Sequence, residues 1–458
     1  MSVWSGRLDL SQFAERPRDL LALLLALAVA GYIAWAISQS PQQALQFTFN
    51  GLSVGAIYAL LAIGFTLVYS TVWFFDLYYG AAAAIGAYGI FYLRSGEALG
   101  GLYQVNDPAV NVVFALVTAG VAWWAVRECY GRRLRERFGS RSALGIEALV
   151  ASGLGAYMGV VLAWPNDLNV LFAPAIGLAA AVLFAWVLRR AGTRLAPRQT
   201  QSGVLVAAAI IGAALGVVCG VALAHAGGSK LYLSWVVSCL LAGMVGLAFY
   251  RGLYVQIIRR TNSRLIMLVA SLGVLLALTA LTIIVFESAP RPLPDVFGST
   301  PWQVGGATIK GFNVFAIGVS IAAFIGLLLL LKKTAFGKSV RAIGDDEEVA
   351  KVVGINTTLV IAIVFFIGAV FAALAGVLNG HDTAIQPRMG LIMLLKGWIA
   401  SVVGGIGNLY GAIVGGFALG LIEQFGIWNL AGEWKDVVSF VVLILFLSFW
   451  PNGLLPRR

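Results

Sequence analysis

Apolar runs close to the length of a bilayer crossing recur along the chain, separated by short polar segments. Residues 20–37, 204–223, 266–285 and 437–450 are examples, set against the roughly 20 apolar residues that span a hydrocarbon core. The basic positions between the runs fall into six clusters. Arg7, Arg16 and Arg18 form the first, and Arg132, Arg133, Arg135, Arg137 and Arg141 the second. Arg189, Arg190, Arg194 and Arg198 form the third, and Arg251, Arg259, Arg260 and Arg264 the fourth. The segment 332–351 is the fifth, and Arg457 and Arg458 make the sixth. The positive-inside rule places all six in the cytoplasm, so an even number of crossings must separate each from the next.

Spans at 19–38, 48–70, 76–94 and 110–126 satisfy the first interval. Pairs at 144–164 and 170–188, 203–225 and 232–250, and 264–286 and 313–331 satisfy the next three. In the last interval, 358–379 and 436–450 flank a stretch, 391–424, too long for one ordinary helix and interrupted around 404–408. Two short, tilted or re-entrant helices there restore the parity. The pattern predicts an all-α, polytopic integral membrane protein with about 13 or 14 membrane segments and cytoplasmic termini.

Composition agrees. Hydrophobic residues make up 60% and charged residues 11% of the chain, and the mean hydropathy is +0.90. A soluble protein of 458 residues has no core able to hide so much apolar surface. The basic clusters sit beside spans and need no nucleic acid to explain them. The run 20–37 is longer than a signal-peptide core and no A-x-A-like site follows it, so no cleaved leader is expected. Cys129, Cys219 and Cys239 are scattered, and His225 and His381 lie far apart near span ends, which indicates neither a disulfide framework nor a metal site.

Where charge is scarce, a cluster of both signs needs a reason. Residues 332–356 read KKTAFGKSVRAIGDDEEVAKVVGIN between two apolar spans. Asp345, Asp346, Glu347 and Glu348 open a predicted short helix, 345–353, with acids at the positive end of its dipole and Gly354 as its stop. A short cytoplasmic helix held between two spans has the shape of a part pushed by a soluble partner. Gly337-Lys338-Ser339 is no phosphate loop, because Lys332 stands where its first glycine belongs and no strand precedes it. No GxSxG, HExxH or cysteine–histidine constellation is present. The chain is therefore expected not to be an enzyme, and any ATP dependence must come from another polypeptide.

The 54 glycines suit membrane helices whose backbones approach closely. Gly407, Gly411 and Gly415 lie four apart, Gly416 and Gly420 repeat the step, and Gly51, Gly55 and Ala59 form a similar strip. Such faces serve static packing, sliding, or both. Polar groups at membrane depth are costly and mark a route or a contact. The candidates for a substrate path are Asn50, Tyr58, Thr66, Asp76, Tyr79, Asn408 and Glu423, with Lys396 read as an anchor whose stem snorkels to the interface.

Residues 50–69, NGLSVGAIYALLAIGFTLVY, resemble the opening of the permeases of branched-chain amino acid ABC importers. The block 337–378, with Arg341-Ala342, Ala350, Gly354-Ile355-Asn356 and Ile367-Gly368-Ala369, resembles that family's coupling loop and following helix. The glycine-rich 402–423, the pairs Lys435-Asp436 and Pro451-Asn452-Gly453-Leu454, and more loosely 265–294, continue the likeness in family order. The resemblance implies a permease subunit that binds no cofactor itself. It implies two ATP-binding-cassette ATPase subunits carrying ATP and Mg2+, a second permease subunit in a heterodimer, and an external solute-binding protein. It assigns ATPase coupling to Arg341, Gly344, Asp345, Asp346, Glu347, Glu348, Ala350 and Gly354.

Two departures qualify it. Asp76-Leu77-Tyr78-Tyr79-Gly80 replaces the family's Asn-Phe-Ala-His-Gly-like motif, which leaves urea, short amides or another small solute as alternative cargo. Residues 100–232 are an insertion holding about four extra spans, between an N-terminal part, 1–99, and a permease core, 233–458. Leu149-Val150-Ala151-Ser152 recurs as Leu268-Val269-Ala270-Ser271, consistent with a partial duplication or with chance. An ion-gradient carrier is the rival from another class, but it calls for whole-bundle repeats and paired midplane charges.

Overall fold

The computed structural model describes residues 38–101, 104–195, 201–261, 263–294, 301–304, 306–450 and 453–455, together with Gly31. The expected first span at 20–37, the clusters Arg7, Arg16, Arg18 and Arg457, Arg458, and Arg198 and Pro451-Asn452 lie outside them. The described chain is helical apart from one small hairpin, β1 (Trp302–Val304) paired antiparallel with β2 (Ala307–Ile309). Nine of its helices are long and apolar enough to cross a membrane, and two shorter apolar helices accompany them, Ala209–His225 and Met389–Gly404. The protein is a polytopic all-α membrane protein.

Contacts divide the chain into two compact units. The first comprises residues up to Ala84, Phe249–Pro290 and Asp295–Arg458. Its central element is α1 (Pro41–Val72), started by a proline at its N-terminus and ended by Trp73 in the left-handed conformation, whose N–H returns to Tyr69 O. The apolar window of α1 is 89% buried, against 17% for α8 (Arg264–Phe286), so α1 is an inner helix and α8 a largely exposed one. Around α1 pack α9 (Gly311–Lys333), α12 (Thr357–Asp382), α13 (Met389–Gly404) and α14 (Leu409–Gly426). Two short helices, α10 (Ala335–Asp345) and α11 (Glu347–Val352), link α9 to α12, and α15 (Lys435–Phe449) follows α14.

The second unit, Ile85–Ala248 with Arg291–Pro294, contains the whole stretch 100–232. It holds the later part of α2 (Tyr78–Ala98), α3 (Pro108–Cys129), α4 (Gly131–Ala163), α5 (Leu168–Leu195), α6 (Gln201–His225) and the start of α7 (Lys230–Thr261). Here α3 pairs with α4 and α5 with α6. Small residues set the second pair: a Cβ on Gly216 would lie 2.4 Å from Gly177 O. Arg94 on α2 is buried and binds Ser234 Oγ at 2.9 Å and Glu97 at 3.1 Å.

Glycine strips in the first unit bring backbones together. A Cβ on Gly416 would meet Ala59 Cα at 2.3 Å, and one on Gly420 would meet Gly55 Cα at 2.4 Å. The two strips legible in sequence are thus each other's partners, α14 against α1. Gly411 and Gly415 face α13 instead, at Gly404 and Ala400. Gly407 is not on that helical strip. It precedes α14 in the break after α13, with φ +85°, beside Gly405 at φ +114°, conformations that cost glycine nothing. The interruption around 404–408 is therefore a real chain reversal between two short helices. The segment Gly453–Leu455 covers it: Leu454 N–H and Leu455 N–H donate to Val403 O and Gly404 O, both at 2.9 Å, supplying partners for the carbonyls that end α13.

Candidate functional site

The charged segment between α9 and α12 folds as two helices, not one. Thr334 caps α10, accepting from Gly337 N–H at 3.3 Å. Val340, Ile343 and Gly344 are buried on one face of α10. That face lies on the end of α1, where a Cβ on Gly344 would come within 2.6 Å of Ser70 O, and Trp73 Nε1 donates to Gly344 O at 2.9 Å. Arg341 Nη1 donates to Leu331 O at 3.0 Å, satisfying a carbonyl at the end of α9. Asp346 is extended at the junction, and its carboxylate accepts from Glu348 N–H at 2.8 Å and Val349 N–H at 3.1 Å. An aspartate that binds the next helix's free N–H groups ends one helix and starts another.

The expected helix at 345–353 is corrected accordingly: Asp345 closes α10, Asp346 is the cap, and α11 begins at Glu347. Glu347 and Glu348 occupy its first turn, and Glu347 pairs with Lys351 at 2.8 Å. Ala350 is buried and anchors α11 from beneath. At the far end Gly354 adopts φ +85° and Ile355 N–H returns to Ala350 O at 3.1 Å, a glycine-dependent helix stop. Asn356 then caps α12 through Leu359 N–H at 3.1 Å. The outer face carries the signal the charge pattern hid. Val349, Val352 and Val353 are 58%, 87% and 69% exposed, an apolar patch bordered by acids on a helix fixed at both ends.

A second cluster lies among the inner helices. Lys396 on α13 hydrogen-bonds Glu423 on α14, bonds Asp436 on α15 at 2.9 Å, and stands 5.3 Å from the ring centre of Tyr58 on α1. Glu423 is fully buried and Lys396 nearly so, whereas Asp436 is half exposed. Lys396 does not snorkel; it is an internal counterion. Among the described residues Glu423 Oε2 has no hydrogen-bond partner, and the carboxylate is compensated by Lys396 together with the Tyr58 side chain.

The remaining candidates are held by contacts within the first unit. Asn50 accepts from Gln46 at 3.1 Å. Thr66 shares a 2.7 Å hydrogen bond with Ser401. The Tyr79 hydroxyl donates to Leu61 O at 2.9 Å. Asn408 caps α14 through Tyr410 N–H at 3.0 Å and donates to Leu455 O at 3.0 Å. These side chains are distributed around α1 and at the α13–α14 break.

Asp76 lies in the link between α1 and α2, buried, with Tyr254 Oη donating at 2.6 Å and Tyr78 N–H at 3.1 Å.

A family model described as a branched-chain amino acid transport system permease component matches residues 200–447, more than half of the chain. The chain belongs to this family. Among curated relatives, the high-affinity branched-chain amino acid transport system permease protein LivH of Escherichia coli (strain K12) is 37% identical over 204 residues. The corresponding protein BraD of Pseudomonas aeruginosa is 34% identical over 205 residues. Each alignment covers 43% of this chain and 66% of the relative, just under two thirds of its length. The autoinducer 2 import system permease protein LsrC of Yersinia enterocolitica is 32% identical over 228 residues, 46% of this chain and 59% of the relative. No solved structure matches.

The family match takes in α10 and α11, the α13–α14 break and the Lys396–Glu423–Asp436 cluster; residues 50–69 fall outside it. Two parts of the site escaped sequence reasoning. Helix α10 was hidden in a charged stretch, although Phe336, Val340 and Ile343 sit at helical spacing behind a capping threonine. The valines of α11 were overshadowed by the neighbouring acids.

Proposed function

We propose that this protein is the permease subunit of an ABC importer, carrying a branched-chain amino acid or a similar small polar solute into the cytoplasm by alternating access. One observation carries the reading: α11 and its C-cap present Val349, Val352 and Val353 outward, while Gly344 and Trp73 tie the preceding α10 to the inner helix α1. A push on α11 reaches α1 by way of α10, whose Gly344 packs on Ser70 and accepts from Trp73 Nε1. Family membership supports the same role.

On this reading two ATP-binding-cassette ATPase subunits, loaded with ATP and Mg2+, take α11 into a groove in which basic groups meet Glu347 and Glu348. A second permease subunit completes the pathway and an external binding protein delivers the solute. The protein lies in the bacterial inner membrane, with the α10–α11 segment and both termini in the cytoplasm, and it performs no catalysis of its own. Val352→Asp places a charge in the centre of the apolar patch. Copurifying ATPase should fall at least about tenfold and uptake with it, while the permease itself remains folded. Undiminished ATPase capture and uptake in this variant would falsify the docking role of α11.

A further inference from the structure

A cavity of about 310 Å3 opens where the end of α9, the C-terminal end of α1, helix α10 and the α13–α14 break meet. Leu67, Leu328, Leu331 and Val340 form an apolar wall. Lys332 and Arg341 line it from two different helices, and no carboxylate lines it. Lys332 Nζ hydrogen-bonds the Tyr410 hydroxyl and lies 4.9 Å from that ring's centre. Arg341 uses Nη1 on Leu331 O. An ammonium carries three donors and a guanidinium five, so both cations keep donors for an incoming acceptor.

Two cations beside an apolar wall match an amphiphile with an anionic head. We propose that this cavity binds a phosphate group, with an acidic phospholipid such as phosphatidylglycerol as its source. Lys332 and Arg341 hold the phosphate oxygens, and the leucine wall receives the glycerol and the start of an acyl chain. The bound head ties α9 and α10 to Tyr410, next to the reversal at Gly405–Asn408, and so steadies the seat of the α10–α11 segment. Diffuse attraction of acidic lipid to basic loops requires none of this geometry. Lys333 is the control: it is adjacent in sequence and exposed, but it does not line the cavity.

The test uses the full chain, purified in detergent with whatever subunits accompany it and stripped of lipid. Thermal midpoints are recorded against added phosphatidylglycerol, phosphatidylcholine and inorganic phosphate. Phosphatidylglycerol should raise the midpoint of the parent and of Lys333→Glu, while phosphatidylcholine should not. Lys332→Glu should need at least about tenfold more phosphatidylglycerol for the same shift, and the milder Lys332→Gln should weaken the effect in the same direction. An equal shift from inorganic phosphate, also lost in Lys332→Gln, keeps the site and names free phosphate as its ligand. Equal weakening by the Lys332 and Lys333 variants, or no shift with phosphatidylglycerol or phosphate, overturns the proposal. No transport is measured, so the outcome bears on the cavity and leaves the importer reading untouched.

Discussion

Lys396→Met should cost about 3–5 kcal/mol, because it leaves a fully buried carboxylate at Glu423 with no cation. Glu423→Gln is the milder change, since Lys396 retains Asp436 at 2.9 Å and that acid reaches water. Replacing both members, Lys396→Met with Glu423→Met, removes the charge imbalance at similar volume and should restore most of the lost stability. Thermal midpoints of the detergent-solubilised variants, with monodispersity on size exclusion, check the ordering. A single Lys396→Met variant as stable as the parent would show that Glu423 does not depend on the lysine, and the internal pair would lose its structural role.

The second large effect is expected at the close backbone contact between α14 and α1. A Cβ on Gly416 would sit 2.3 Å from Ala59 Cα and 2.4 Å from Ala59 N, so the obstacle is backbone and cannot rotate aside. Gly416→Ala must push α14 off α1 and should cost about 1–3 kcal/mol. Gly416→Ile should yield no monodisperse protein. Gly318→Ala and Gly326→Ala on α9, where nothing lies within 4 Å of the added carbon, should leave the midpoint unchanged. If all three alanine variants behaved alike, the close α1–α14 contact would not exist as described.

Most of the architecture was legible because membrane helices announce themselves locally. Every span expected from residue 48 onward coincides with a helix, and the break inferred around 404–408 is the reversal at Gly405 and Gly407. What local reading missed was pairing. Gly51 and Gly55 were visible as a strip, but that Gly416 and Gly420 press against it depends on the fold. Lys396 and Glu423 are 27 positions apart on opposite arms of a broken hairpin; each alone reads as an interfacial side chain, and only their meeting makes both affordable in an apolar interior. The substrate-path candidates rest on polarity, a property equally demanded by internal hydrogen bonds such as Thr66–Ser401 and Tyr79–Leu61. The acids of 345–348 draw attention to this segment, while the three valines exposed on its outer side carry no charge.

The central claim is that α11 is where an ATPase pushes. It is tested most directly by placing a photoreactive phenylalanine at position 352, irradiating native membranes, and identifying the adduct by mass spectrometry. The account predicts a crosslink to an ATP-binding-cassette subunit that disappears when the same residue is placed at buried Ala350. An adduct to lipid or to this chain alone, with the ATPase present in the membrane, would contradict it.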